Sequence, residues 1–506
     1  MGLLIVSVVL VVTYFQILMN DELDHPEKKK HSSKNITVHP LSEYDTNSNG
    51  KTYDKLLTPA GSYTDDPFQR AENSCLPQYP QELLDVYKPI LKNITDSGLR
   101  LPPYWDSVFD GTGETRMPFG PCLLDDDTTH DGDFWLSDEA ISYPGPYREK
   151  RCAVCRPGFL IIGAGKCGTS SLYHYLVGHP HVLPAKRKQI HYYLFYYNRG
   201  MRWYLSNFAT TKAMLSNKAL MTGEAAPGYI PNPITARRAS TDMPGTRIIL
   251  IAREPLDRAW SSYNYNYARI ARSKIPLRSL NLELSTKELD DKYLFTFEEM
   301  MRAEFDVIKN CLSSGRAEKI PSWARDENER RNRIGLPPLI DIITYCYPPE
   351  NHHMAQRAQR PASQWSKLVE KYPHKIINLP NPHLFEAFIG RGMYAAQVEW
   401  WYAAFPAADI TLVCSEDLKT KAAETMSTLS DFLGLPAFDF AEVVSEGMFN
   451  VAGHEGYDKA TPRNEVLEEE SNVTIPLSND FRKELQDFFE EHNERLFKLT
   501  GKRCPW

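Results

Sequence analysis

Lys166, Thr169, Ser170 and Ser171 fall among three glycines, Gly163, Gly165 and Gly168. An ammonium and three hydroxyl donors suit a phosphate or sulfate oxygen. The glycines let the chain turn sharply and approach a ligand closely. An apolar run, Phe159–Ile162, precedes them and an amphipathic run follows, so the spacing predicts a strand, a tight loop and a helix start. A helix N-terminus adds backbone N–H donors and a dipole that favours an anion.

A second candidate anion site follows the buried run Arg247–Ala252. It reads R-x-P-x-x-R-x-x-S, as Arg253, Pro255, Arg258 and Ser261. Pro255 suits the first position of a helix, where its missing N–H is no loss. Arg253 stands at the C-terminal edge of the strand, where open α/β sheets bind ligands. Ser261 follows about two helical turns later and can share that side.

Three patterns compete for the first loop. A nucleotide-triphosphatase P-loop needs its lysine after the last glycine, but Lys166 precedes Gly168. The dinucleotide pattern G-x-G-x-x-G is met by Gly163, Gly165 and Gly168, yet it calls for an acid about 20 residues on. That region reads Lys186-Arg187-Lys188-Gln189. The third pattern, K-x-G-T-[ST]-x-x-L, runs from Lys166 with its leucine displaced to Leu172. It resembles the 5′-phosphosulfate loop of sulfotransferases that use PAPS (3′-phosphoadenosine 5′-phosphosulfate). The Arg253–Ser261 segment resembles their 3′-phosphate site.

Residues 392–400 (GMYAAQVEW), the following strand and helix to FLGLP, and the final FRKELQDFFEEHNERLFKLTG are similar to segments of Golgi carbohydrate sulfotransferases. The loop's form is closest to the branch that includes N-acetylgalactosamine 4-sulfate 6-O-sulfotransferase. The resemblance covers about 156–265 and 388–506. It implies a P-loop-like, three-layer α/β fold with a central parallel sheet. It also implies PAPS as co-substrate with no metal, and a chondroitin- or dermatan-like glycan as acceptor. Lys166, Cys167, Gly168, Thr169, Ser170, Ser171, Arg253 and Ser261 would bind the donor, with Lys166 also at the leaving oxygen.

The base is a departure from the family. Heparan sulfotransferases carry a glutamate where this chain has Gln189, in the stretch Gln189-Ile190-His191-Tyr192-Tyr193. An amide cannot accept the acceptor's proton at neutral pH. His191 can, with an ordinary pKa near 6.5. If the stretch is extended, 189 and 191 share a face. That predicts an acid limb near pH 6.5. Glu224, in GEAAPGYI, is the other candidate. The missing glutamate also admits a homologue that binds PAPS or glycan without turnover. A dinucleotide-binding oxidoreductase would leave Arg253 and Ser261 unexplained.

The whole chain sets further bounds. Its 506 residues allow two to four domains. A net charge of −7 argues against a general nucleic-acid binder. Lys186, Arg187, Lys188, Arg199 and Arg202 could still form a basic strip for an anionic glycan. Nine cysteines and the sequons at Asn35, Asn93 and Asn472 fit an oxidising, glycosylating lumen. The odd count leaves a free thiol, for which Cys167 is the candidate. Cys152 and Cys155 form C-x-x-C without a second pair at zinc-like spacing.

These features organise the chain as follows. Residues 1–19 read as a signal-anchor transmembrane helix, since Leu3–Met19 is almost wholly apolar. Residues 20–65 read as a flexible stem, 66–150 as an irregular lead-in, and 151–506 as the catalytic domain with an insert at about 270–388. The expected setting is a single-pass Golgi membrane protein of type II with a lumenal catalytic domain. The lysines at 28–30 follow the anchor, so the positive-inside rule does not favour this orientation. Strands are expected at Phe159–Ile162, Met221–Glu224, Arg247–Ala252 and Ile410–Cys414, and a helix at Thr296–Cys311 within the insert.

Overall fold

The computed structural model describes residues 81–105, 122–124, 152–209, 213–214, 217–273, 275, 285–347, 365–375, 388–451, 459–471 and 473–506. The anchor, the stem and most of the lead-in lie outside these residues, as do Asn35 and Asn472. Among the described residues no helix is long and apolar enough to cross a membrane. Of the lead-in, α1 (Gln81–Asp96) is described, and Asn93 stands exposed on it.

A five-stranded parallel sheet organises the chain from 159 onward. In chain order it is β1 (Phe159–Gly163), then helix α2 (Thr169–Val177), the two-residue β2 (Val182–Leu183) and β3 (Met221–Ala225). Next come α3 (Pro233–Asp242), β4 (Arg247–Ala252), α4 (Pro255–Ser262) and the insert helix α5 (Phe297–Ser313). The chain then forms α6 (Tyr394–Ala404), β5 (Ile410–Cys414), α7 (Ser415–Thr420) and α8 (Ala422–Leu433). It ends in α9 (Arg463–Ser471) and α10 (Asn479–Thr500).

The spatial order is β2-β3-β1-β4-β5. Leu160 of β1 lies beside Glu224 of β3 and Ile248 of β4, and Ile248 lies beside Ile410 of β5. Every residue of β1, β3 and β4 is buried, as expected of parallel strands covered on both faces. After β1 the chain builds toward β2 and β3, then crosses back to β4. The connection therefore reverses beside β1, and such a switch point opens a crevice at the strand ends. The loop of Lys166 lies at that point.

Helices cover the sheet in two packed groups. α2 packs against α8, while α6 packs against both α3 and α10. A second core forms around the insert helix, where Met300, Phe305, Trp365 and Phe388 are buried together. Thr296 caps α5 through a capping box with Glu299. A disulfide joins Cys311 of α5 to Cys346, and another joins Cys414 at the end of β5 to Cys504.

A very close approach lies at the β1–β3 pair. A Cβ on Gly223 would fall 2.3 Å from the Phe159 ring. Gly223→Ala should therefore destabilise the domain by about 1–3 kcal/mol through overpacking. A lower denaturant midpoint at unchanged m-value would report it. An unshifted midpoint would mean that Phe159 can leave its site freely.

Candidate functional site

The loop after β1 is set by local backbone geometry. Lys166 and Gly168 both have positive φ, +71° and +98°. Gly168 is the N-cap of α2 and uses no side-chain cap, so the first turn keeps its backbone donors for a ligand. The N–H of Ala164 donates to the carbonyl of Ile251 at 2.7 Å and ties the loop to β4.

A cleft of about 250 Å³ opens over this loop. Lys166, Cys167, Gly168, Thr169, Ser170 and Ser171 line it together with Arg253 and Ser261. The structure thus brings both sequence motifs to one cavity. Pro255 begins α4, as the pattern required, and α4 carries Ser261 back beside Arg253. Arg258 has a different task. It is fully buried and donates to the carbonyl of Phe388.

Several side chains within the cleft are already engaged. The Lys166 ammonium lies 3.7 Å from the centroid of the Tyr265 ring. Ser171 Oγ accepts from the N–H of Phe449 at 2.9 Å. Cys167 is free and buried, with Sγ 3.5 Å from the Tyr394 hydroxyl. Burial raises its thiol pKa, so it is a packed thiol rather than a thiolate nucleophile. Arg253 pairs with Glu470 of α9 at 3.5 Å, and Glu470 also pairs with Lys419 of α7 at 2.5 Å.

Neither candidate base lines the cleft, whereas Gln189 does. The 189–191 stretch is not extended. Gln189 and His191 both have positive φ, +61° and +56°, so period-2 alternation does not apply. The His191 ring sits behind Gln189, with Nε2 3.3 Å from Gln189 Oε1. The amide oxygen can only accept, so this contact makes Nε2 the donor and leaves the lone pair on Nδ1. Burial, reinforced by the charges of Lys188, Arg391 and Arg187, pushes the His191 pKa down to about 4. That moves the acid limb expected of this histidine from pH 6.5 to about pH 4.

Glu224 is fully buried on β3. Its carboxylate accepts from the Tyr204 hydroxyl at 2.7 Å, the Tyr229 hydroxyl at 3.2 Å and the N–H of His191 at 3.1 Å. Burial raises its pKa to about 7 against those hydrogen bonds. In this arrangement Glu224 holds the His191 backbone and two tyrosines in place. Burial also lowers Lys188, to about 7, aided by the charge of Lys166.

Four residues in the cleft carry no signal in the two motifs. Arg391 immediately precedes Gly392 of the G-x-Y segment. Lys419, Tyr265 and Glu470 arrive from α7, from the stretch after α4 and from α9. Only the tertiary fold brings them there. Of the proposed basic strip, Arg187 and Arg199 stack on Trp203, at 5.3 and 4.7 Å from its ring centroid. Among the described residues no group of His, Cys, Asp and Glu is placed to hold a metal ion.

No protein-family model matches the sequence. Over 364 residues the chain is 26% identical to the membrane-associated sulfotransferase kil1 of Dictyostelium discoideum, covering 70% of this chain and 67% of that protein. Over 366 residues it is 23% identical to human bifunctional heparan sulfate N-deacetylase/N-sulfotransferase 3, covering 70% of this chain and 31% of that one. Among solved structures, a sulfotransferase from Alicyclobacillus acidocaldarius matches 69% of this chain and 98% of its own at 19% identity, with a TM-score of 0.34. The chain thus spans two thirds of the amoebal relative and under a third of the human one. It is a homologue of sulfotransferases.

Proposed function

We propose that this chain is a sulfotransferase that moves a sulfuryl group from PAPS to a hydroxyl of a glycan, with a chondroitin- or dermatan-like acceptor as the finer reading. The observation that carries it is the convergence of Lys166 with its loop, and of Arg253 with Ser261, on one cleft. PAPS carries a 5′-phosphosulfate and a 3′-phosphate, and the two motifs supply a cationic grip for each. The catalytic domain is 151–506, with the insert at about 270–388.

Transfer needs the acceptor oxygen, the sulfur and the leaving phosphate oxygen in line. It also needs the charge growing on the leaving side to be met. In this reading Lys166 meets that charge, and the first turn of α2 holds the phosphosulfate oxygens. His191 takes the acceptor proton at Nδ1, the ring nitrogen that keeps its lone pair. Glu224 is the alternative base.

The relatives include enzymes named for heparan sulfate, which supports a glycan acceptor. One relative is named membrane-associated, which supports an anchored protein. The disulfides at Cys311–Cys346 and Cys414–Cys504 and the exposed Asn93 sequon support a lumenal, Golgi setting. Gln189 in the cleft favours one second reading, a homologue that binds PAPS or glycan without turnover. Labelled PAPS offered to the purified chain with a glycan panel separates the two: transfer supports the enzyme, and binding without transfer supports the second reading.

Arg253 and Ser261 give a sharper test of the donor. Arg253→Ala should weaken binding of adenosine 3′,5′-bisphosphate about 10- to 100-fold, the worth of a charge-assisted contact of about 1.5–3 kcal/mol. Ser261→Ala should weaken it less. Adenosine 5′-phosphosulfate lacks the 3′-phosphate, so its affinity should barely change. Equal losses for both ligands would remove Arg253 from the 3′-phosphate site.

A further inference from the structure

Arg391 and Lys419 are the cations in the cleft to which the two motifs assign no task, and Lys419 is paired with Glu470. Arg391 is only 4% exposed, yet it lines the cavity. A Cβ on Gly165 would lie 3.4 Å from Arg391 Nη1 and 4.0 Å from Pro227 Cβ. The guanidinium therefore runs alongside the loop one residue before Lys166. A Cβ on Gly228 would lie 3.4 Å from His191 Cε1. Gly165, Pro227 and Gln189 thus line the cleft with Arg391, and His191 sits behind Gln189. Arg253 is drawn instead to Glu470, which also pairs with Lys419.

The turn that presents Arg391 is held by a residue of the insert. Glu304 of α5 is fully buried. It accepts from the N–H groups of Phe388 at 2.8 Å, Ile389 at 2.7 Å and Gly390 at 3.1 Å. The Tyr347 hydroxyl donates to the same carboxylate at 2.6 Å and stands 3.1 Å from the N–H of Gly390. Gln397 Nε2 donates to the carbonyl of Gly390 at 2.9 Å. The Cys311–Cys346 disulfide joins α5 to the residue next to Tyr347. The three peptide N–H groups before Arg391 are therefore fixed by one carboxylate.

Resting on the donor assignment above, we propose that Arg391 contacts the transferring sulfuryl group opposite Lys166, and that Glu304 positions Arg391. A guanidinium presents a planar fork to paired oxygens, and an ammonium cannot do so. In the step, the acceptor oxygen bonds to sulfur as the sulfur–phosphate oxygen bond breaks. The bisphosphate keeps the electron pair, and the acceptor proton goes to the base. Arg391 exchanges no proton. It meets charge on the sulfuryl oxygens, where fixed donors act most strongly. The insert thereby supports the reacting end from behind, through the turn that presents Arg391.

The test measures sulfuryl transfer and binding of adenosine 3′,5′-bisphosphate on the full chain. The bisphosphate lacks the sulfuryl group, so it reports donor binding without the proposed contact. Arg391→Ala should lower turnover about 100-fold, as for loss of one transition-state donor, with bisphosphate affinity changed less than threefold. Arg391→Lys should recover part of that loss. Glu304→Gln should lower turnover about tenfold at unchanged bisphosphate affinity, and adding Arg391→Ala to it should cost far less than 100-fold more. Tyr347→Phe takes the place of Glu304→Gln if the latter fails to fold. Turnover of Arg391→Ala within threefold of wild type would overturn the role, as would parallel loss of bisphosphate affinity. Additive effects of Glu304→Gln and Arg391→Ala would overturn the positioning. A wild-type chain that does not bind the bisphosphate would overturn the donor assignment itself, and this inference with it.

Discussion

Lys166→Ala should lower sulfuryl transfer by about two to three orders of magnitude, the usual loss when a transition-state charge donor is removed. Lys166 is the only residue of the loop that brings a full positive charge, and it follows β1 directly at the sheet's switch point. Its ammonium lies over the Tyr265 ring. A ring face is a weaker partner than an anionic oxygen, so an arriving phosphosulfate draws the ammonium off the ring at little cost. Lys166→Arg should restore only a fraction of the rate, because a planar fork cannot replace a compact point charge. Initial rates with labelled PAPS decide the matter. Turnover of Lys166→Ala within threefold of wild type would sink the site assignment.

The parts of the site that were legible in the sequence are contiguous. The loop after β1 and the start of α4 are each short motifs whose residue types and spacing reveal an anion site. The strands β1, β4 and β5 were legible because buried parallel strands are largely continuous apolar runs. Strand β2 was not, since Val182–Leu183 is too short to carry a pattern. The helix of the insert, expected at Thr296–Cys311, runs Phe297–Ser313 and is capped by the box of Thr296 and Glu299.

What could not be read depends on distant segments meeting. Arg391, Lys419 and Glu470 enter the cleft from α6's leading turn, α7 and α9, and no local spacing relates them to Lys166. Glu304 is a single acid in a charged insert, and its three backbone partners lie more than eighty residues away in the chain. The 189–191 stretch fails for another reason. An extended reading needs ordinary β dihedrals, but both residues take positive φ, which side chains rarely adopt. The resulting turn places His191 behind Gln189 and hands its backbone N–H to Glu224.

That turn sharpens the question of the base into a pH experiment. A general base works only when deprotonated, so activity falls as pH drops through its pKa. Burial and three neighbouring cations hold His191 near 4. If His191 is the base, the rate should stay level from pH 7 down to about 5 and fall only near 4. Burial holds Glu224 near 7. If Glu224 is the base, the rate should already be halved near pH 7 and fall about tenfold per unit below it. His191 is the preferred group, because its ring touches Gln189 in the cleft while the Glu224 carboxylate is occupied by Tyr204, Tyr229 and a backbone N–H. His191→Ala should then cost about 10²–10⁴ in turnover with bisphosphate affinity kept. Glu224→Gln retains the carbonyl acceptor and should cost much less. A limb near pH 7 that disappears in Glu224→Gln along with the activity would transfer the role to Glu224. A limb near pH 7 that survives in both variants would point to Lys188, whose ammonium is held near 7 beside Lys166 and which becomes a base only above that pH.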